Sequence, residues 1–165
     1  MTAEERKAHS HVHETRTALG TLVCHFSVLE WIVETVSHQI ADAAGQKPLP
    51  AHAGIGRKLE CIRKYVKQIV ADPTLHKEVQ EKIAEIQQFS NRRNEAMHSR
   101  YGYDEATRRM MSARISGFEM DPNFYTKVRA DEINRLANEV LEFALGGSIA
   151  PVFKKVVAVA DAGKP

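Results

Sequence analysis

Apolar residues recur along the first third of the chain at a spacing that suits a helix and no other element. Leu22, Phe26, Leu29, Val33, Val36 and Ile40 follow one another by four, three, four, three and four residues. This alternation keeps every member on one stripe of an α-helix, the pattern of a helix packed lengthwise in a bundle. Trp31 and Ile32 read as a widening of the same apolar face. Gly45 and the Pro48-Leu49-Pro50 stretch close the segment, because glycine accepts a left-handed cap and proline cannot continue a helix. A second helix is predicted from Ile55 to Ala71, with Leu59, Ile62, Val66 and Ile69 on its seam, and Asp72-Pro73-Thr74 breaks the pattern.

The third helix is predicted from Thr74 to Arg100 and carries Val79, Ile83, Ile86 and Phe89. Tyr101-Gly102-Tyr103-Asp104 reads as its stop, with Gly102 suited to the cap. From Tyr101 to Tyr125 the helical period is lost. Ala113 and Ile115 alternate with Ser112, Arg114 and Ser116, the pattern of a short hairpin or an irregular loop. Helicity returns near Ala130, where Asp131 and Glu132 suit the positive end of a helix dipole. Ile133, Leu136, Val140 and Phe143 then supply a fourth seam. Gly146-Gly147 and Pro151 interrupt it. The predicted architecture is all-α: an up-and-down bundle of four main helices over residues 1–145, with a short hairpin or irregular insertion after the third. Residues 146–165 form an extension, either a short helix or disordered.

Composition narrows the picture further. A chain of 165 residues with 43% hydrophobic content can bury one core. A net charge of +2 gives no general attraction for polyanions, so any nucleic-acid contact must come from a local patch. Cys24 and Cys61 sit in apolar helical segments and read as buried reduced thiols rather than a disulfide. They have no CxxC neighbour and no third ligand. His9 and His13 could share a helical face with His11 between them, but no HExxH pattern follows, and neither a metal nor a cofactor is expected. His25 and His38 read as polar members of the first helix, and Gly54-Ile55-Gly56-Arg57-Lys58, which follows no strand, reads as a helix start. The stretch Met1–His13 is charged and lacks the apolar core of a signal peptide. The most apolar stretch, Thr21–Val36, is interrupted by His25, Glu30 and Glu34, so a cytoplasmic protein with no membrane partner is expected.

One segment carries chemistry: Arg93-Asn94-Glu95-Ala96-Met97-His98. Arg6 and His11 repeat the same spacing outside any seam, so spacing alone does not distinguish the segment. Its place in the helix does. Steps of three and four from Ile86 pass through Ser90, Arg93 and Met97, which puts an arginine where the pattern calls for an apolar side chain. A charge there needs partners, because an unpaired buried charge is costly. Asn94 and His98 continue a polar line with Gln87 and Asn91. Arg93 and His98 are separated by roughly 140° around the helix, so a second helix or subunit must complete any pocket they share. Arg and His in a last turn also suit the final carbonyls and the dipole, and that reading stays open. Residues 92–114 hold six arginines and no lysine against three carboxylates. Arg92 and Arg100, with Tyr101 and Tyr103 interleaved, are candidates for phosphate clamping and base stacking, although a solvated charged face has the same composition.

At these residues the chain resembles the HEPN family (higher eukaryotes and prokaryotes nucleotide-binding domains). That family's motif is Arg, four to six residues and then His, often with a polar residue directly after Arg. Here Arg93, Asn94 and His98 fall late in an interior helix, as the family pattern requires. The first helix, with Phe26-Ser27-Val28-Leu29-Glu30-Trp31, is also similar to HEPN-like bacterial proteins. The resemblance covers residues 15–145. It implies a homodimer whose motifs face each other across a shared cleft, and in catalytic members a metal-independent endoribonuclease. His98 would move a proton at the ribose 2′-OH or the leaving 5′-oxygen, Arg93 would stabilise the phosphate, and Asn94 would orient groups. Many members act in toxin–antitoxin or antiviral defence, so an antitoxin partner is implied too. Other members bind nucleotides or serve as dimerisation modules without cutting RNA, which is the alternative expectation.

Overall fold

A computed structural model describes residues 3–104, 109–114, 125–127 and 130–162, with backbone alone over the strands. In chain order the elements are α1 (Ala3–Ala43), α2 (Ile55–Ile69), α3 (Pro73–His98), β1 (Ser99–Asp104), β2 (Arg109–Arg114), β3 (Tyr125–Lys127), α4 (Ala130–Leu145) and α5 (Ala150–Ala162). The fold is an α-helical bundle with a small sheet inserted after α3. It divides into two compact units, one formed by residues 1–26 and 91–139, the other by residues 27–90 and 140–165. The long helices α1, α3 and α4 each contribute residues to both.

The 27–90/140–165 unit is built from the predicted seams. Leu29, Val33, Val36 and Ile40 of α1, Leu59, Ile62 and Val66 of α2, and Val79, Ile83 and Ile86 of α3 are all buried. Phe89 of α3 meets Phe143 of α4 with ring centroids 5.0 Å apart and planes inclined at 42°, a tilted pairing that suits the ring quadrupoles. Residues 146–165, expected as an extension that is either a short helix or disordered, contain α5, and Val152, Phe153 and Val156 of that helix are buried in this unit's core. The helix forms because Val152, Phe153 and Val156 recur at helical spacing and so bury on a single face.

α1 ends as its sequence requires. Gly45 has φ of +65°, the Gly45 N–H donates to the Asp42 carbonyl, and the Gln46 N–H donates to the Ala41 carbonyl at 2.8 Å. This pair of bonds is a Schellman motif, and glycine holds the left-handed position without a Cβ clash. At the end of α4, a Cβ on Gly146 would collide with the backbone carbonyl of Glu142.

The 1–26/91–139 unit buries Ala18, Leu22 and Phe26 of α1 with Ile133, Leu136 and Ala137 of α4. Its sheet is antiparallel in the order β1-β2-β3. Ser99 pairs with Arg114, Asp104 with Arg109, and Met111 of β2 with Lys127 of β3. The 112–116 alternation suggested a short hairpin or an irregular loop, and the described residues of β1 and β2 pair as a hairpin. Ile115 and Ser116 themselves lie outside the described residues. Gly102, expected in a left-handed helix cap, is instead a strand residue opposite Met111. The chain leaves α3 directly into β1, so Gly102 lies within a strand four residues past the helix end and not at a cap position.

Two apolar assignments are also corrected. Trp31 is 66% exposed, and Cys24 is exposed while Cys61 is partly buried, so the thiols are free but not buried. The reason is angular: Cys24 and Trp31 each follow a seam residue by two positions, roughly 200° round the helix, on the face away from the core. α1 starts well before the apolar stretch. Two stretches, 9–43 and 130–162, have the length and mean hydropathy (1.4 and 1.5) of a membrane span, a test that core helices also pass.

Among the described residues of the 27–90/140–165 unit, Lys58 is a charged side chain that is nevertheless buried, at 5% exposed. Its ammonium donates to Glu34 Oε2 at 2.9 Å and to the Ala51 carbonyl at 3.0 Å. Hydrogen bonding to Lys58 lowers the Glu34 carboxyl below its ordinary pKa; partial burial opposes this, and the charges of Lys58 and His38 add to it. A lowered carboxylate pKa stabilises the fold above the ordinary carboxylate range and loses that contribution as pH falls through the folded value. Glu34→Gln is therefore expected to lower stability near neutral pH and to flatten the acid limb of a stability–pH curve below about pH 4.3, measured by thermal melts. In urea titrations Ile83→Ala is expected to cost about 2–5 kcal/mol for its cavity. Gly45→Ala is expected to cost about 1–2 kcal/mol for forcing a Cβ into the left-handed region.

Candidate functional site

The last two turns of α3 hold the segment singled out by the sequence, in the 1–26/91–139 unit. Seam geometry turns Arg93 toward α1. Arg93 is half-buried, and its guanidinium carbon lies 5.3 Å from the centroid of the Phe26 ring. Phe26 is itself 2% exposed, so the cation rests on a desolvated aromatic face, where such a contact contributes about 2 kcal/mol. Arg93 Nη1 donates to Asn94 Oδ1 at 3.0 Å. Arg93 Nε is buried and has no hydrogen-bond partner among the described residues. Of the five guanidinium donors, one is committed to Asn94. The arginine is thus held between a ring and an amide oxygen, with no other hydrogen bond from its guanidinium among the described residues.

Asn94 is exposed, and its bond to Arg93 uses the amide oxygen, which leaves the NH₂ group directed elsewhere. His98 is the final residue of α3 and is exposed. Among the described residues no hydrogen bond joins His98 to Arg93. The helix brings Arg93 and Asn94 together and keeps His98 apart, as the 140° separation required. Arg92 faces α4, where its Nη1 donates to Glu139 Oε2 at 2.7 Å. Both side chains are substantially solvated, so the pair is worth about 0–1 kcal/mol and can exchange for another anion at little cost. Arg100, Tyr101 and Tyr103 lie on β1, opposite Ala113, Ser112 and Met110 in turn. Their side chains lie outside the described residues.

Three contributors to this region were not visible as such in the sequence. Phe26 was legible only as a seam residue, and nothing in its spacing marks it as the ring beneath Arg93. His25, next to it, donates from Nδ1 to the Ala137 carbonyl of α4 at 2.9 Å, since a carbonyl can only accept. That bond fixes one tautomer of the neutral ring and leaves Nε2 as an acceptor. Glu139 as the partner of Arg92 was likewise unforeseen, because a pairing across 47 residues leaves no local signal.

Metal chemistry finds no support among the described residues, where no group of three or more His, Cys, Asp and Glu could hold an ion. His9 and His13 are exposed on α1, and His11 lies 3.7 Å from Glu14. No family model, curated protein or solved structure matches the chain.

The unpartnered Nε makes a stability prediction. Leaving a buried donor unsatisfied costs about 1–3 kcal/mol, and methionine can keep the packing on Phe26 without that donor. Arg93→Met is expected to leave stability unchanged or to raise it. Phe26→Ala is expected to lower it by about 3–5 kcal/mol. Urea unfolding of both variants checks this, and a loss above about 1 kcal/mol for Arg93→Met would mark the arginine as structural.

Proposed function

We propose that this chain is a HEPN-like, metal-independent endoribonuclease acting as a homodimer in the cytoplasm. The observation that carries the reading is Arg93: a half-buried arginine on a core seam, set on Phe26 and tied to Asn94, with a buried Nε that no group among the described residues satisfies. A cost of this kind is understandable at a site that binds phosphate.

On this reading the ribose 2′-oxygen attacks the adjacent phosphorus while the bond from phosphorus to the 5′-oxygen breaks. The products are a 2′,3′-cyclic phosphate and a free 5′-hydroxyl. One His98 accepts the 2′-OH proton, and a protonated His98 from the second copy gives a proton to the departing 5′-oxygen. Histidine suits both tasks because its ordinary pKa lies near neutrality. Arg93 stabilises the charge on the crowded phosphate through its uncommitted donors, and the Asn94 NH₂ group orients a phosphate oxygen. Arg92, Arg100, Tyr101 and Tyr103 would hold the flanking RNA. Defence or toxin–antitoxin roles, with an antitoxin partner, go with the same reading.

The alternative is a HEPN-like nucleotide-binding or dimerisation module that uses the same residues without cleavage. It is favoured by one fact: in a single chain His98 is exposed and has no described bond to Arg93. Incubating the protein with RNA in EDTA separates the two. Cyclic-phosphate ends are expected, with at least a hundredfold loss of rate in His98→Ala and in Arg93→Ala. Because each cleavage uses the His98 of both copies, adding excess His98→Ala chain to the intact protein is expected to suppress cleavage, since a mixed dimer keeps only one of the two histidines. Cleavage that persists in His98→Ala removes the ribonuclease assignment, and dimers that bind nucleotides without cleaving RNA support the alternative.

A further inference from the structure

A separate cleft of about 380 Å³ opens in the 27–90/140–165 unit between α1 and the start of α2. Its size falls within the range of small-ligand pockets, roughly 300–1,000 Å³. Its lining includes Glu30, Trp31 and Glu34 from α1, and His52, Gly54 and Lys58 from the connection and α2. Trp31 is the chain's only tryptophan, and it is 66% exposed. An indole left in water beside a concave, charged site has no role in the core and is placed to stack on a flat ligand.

The polar groups of the cleft are of both kinds. Lys58 has three ammonium donors; Glu34 and the Ala51 carbonyl take two, and the third has no partner among the described residues although the side chain is almost wholly buried. Glu34 receives Lys58 on Oε2, and no bond is recorded to Oε1. Glu30 adds a second carboxylate and has no described hydrogen bond or ion pair. The cleft therefore offers one N–H donor next to carboxylate acceptors, with an aromatic face at the rim.

We propose that this cleft binds a guanine base. Trp31 stacks on the purine, the spare Lys58 N–H donates to O6, and the carboxylates of Glu34 and Glu30 accept from N1–H and the N2 amino group. Guanine is favoured over the other bases because its Watson–Crick edge presents one acceptor followed by two donors, whereas adenine and cytosine present one donating group each. A guanidinium or ammonium ligand also suits indole and carboxylate. It would leave the Lys58 donor unmet and would face its charge. The inference is independent of the ribonuclease reading, since none of its residues belongs to α3.

The single tryptophan makes the test direct. Titration of the full chain with GMP, AMP, CMP and UMP, followed by fluorescence corrected for nucleotide absorption, is expected to give saturable quenching by GMP at a Kd at least about tenfold tighter than for the others. By calorimetry, Trp31→Leu and Glu30→Gln are each expected to weaken GMP binding about tenfold or more, while Lys77→Ala, at an exposed position on α3, leaves it unchanged. Both substitutions are at solvated positions, and circular dichroism checks that the helices are retained. Equal affinity for all four nucleotides, absence of saturable quenching, or saturation by acetyl-arginine amide at an affinity matching or exceeding that of GMP each overturns the proposal.

Discussion

Burial of a single stripe of α1, from Leu22 to Ile40, is the constraint around which the remaining helices are organised. No helix here could stand alone in water, since an isolated helix gains too little from its own hydrogen bonds to offset the ordering of its backbone. Each of α2, α3 and α4 instead carries an apolar face with the same three–four spacing. Leu29, Val33 and Ile40 are buried to 2% or less in one unit, and Leu22 and Phe26 in the other. Because the stripe is continuous, α1 is committed from Leu22 to Ile40, and residues off the stripe such as Cys24 and Trp31 are left exposed. The exposure of Cys24 and Trp31 follows from that commitment.

Two cations sit within this framework, and they are treated in opposite ways. Lys58 is almost wholly buried but has a carboxylate and a carbonyl within 3.0 Å, so its desolvation is largely compensated. Arg93 is less buried and worse satisfied: it has a ring, one amide oxygen and, among the described residues, an unpartnered Nε. If burial alone decided where charge is tolerated, the more buried group would be the more problematic one. Partner geometry decides instead. The inequality is one of partners: Lys58 has a carboxylate and a carbonyl, whereas the described partner of the Arg93 guanidinium is a single amide oxygen.

The seams were legible because burial follows angle, and angle follows from spacing along the chain. Leu22, Leu59, Ile83 and Val140 went where their spacing put them. Errors arose where residue type was allowed to override angle, as with Trp31 and the cysteines, which are apolar by chemistry but lie far from the stripe. Gly102 misled for a related reason: a glycine after a helix suits a left-handed cap, yet this one lies within a strand four residues past the helix end. Within the candidate site, the seam position of Arg93 and its separation from His98 were readable. Phe26 beneath it, Glu139 opposite Arg92 and the cleft at Trp31 were not, since each depends on pairing between segments far apart in sequence.

The helix also limits what the site can be. A residue on the core side of α3 and another five positions later cannot both face inward, because that offset turns the second roughly 140° away. The seam sets Arg93 against Phe26, so His98 is directed outward by the same packing that holds the arginine in place. Moving His98 toward Arg93 would need a break in the last turn, which β1 opposes by leading the chain away immediately after His98. Any chemistry that uses both residues must therefore be closed from outside this helix. A second copy is the most economical way to do so, since it brings another His98 and another Arg93 in the same fixed geometry, and with them both a proton acceptor and a proton donor. On that reading the separation of the two residues is a reason for assembly, and activity would vanish on dilution below the dimer's dissociation constant without any loss of fold.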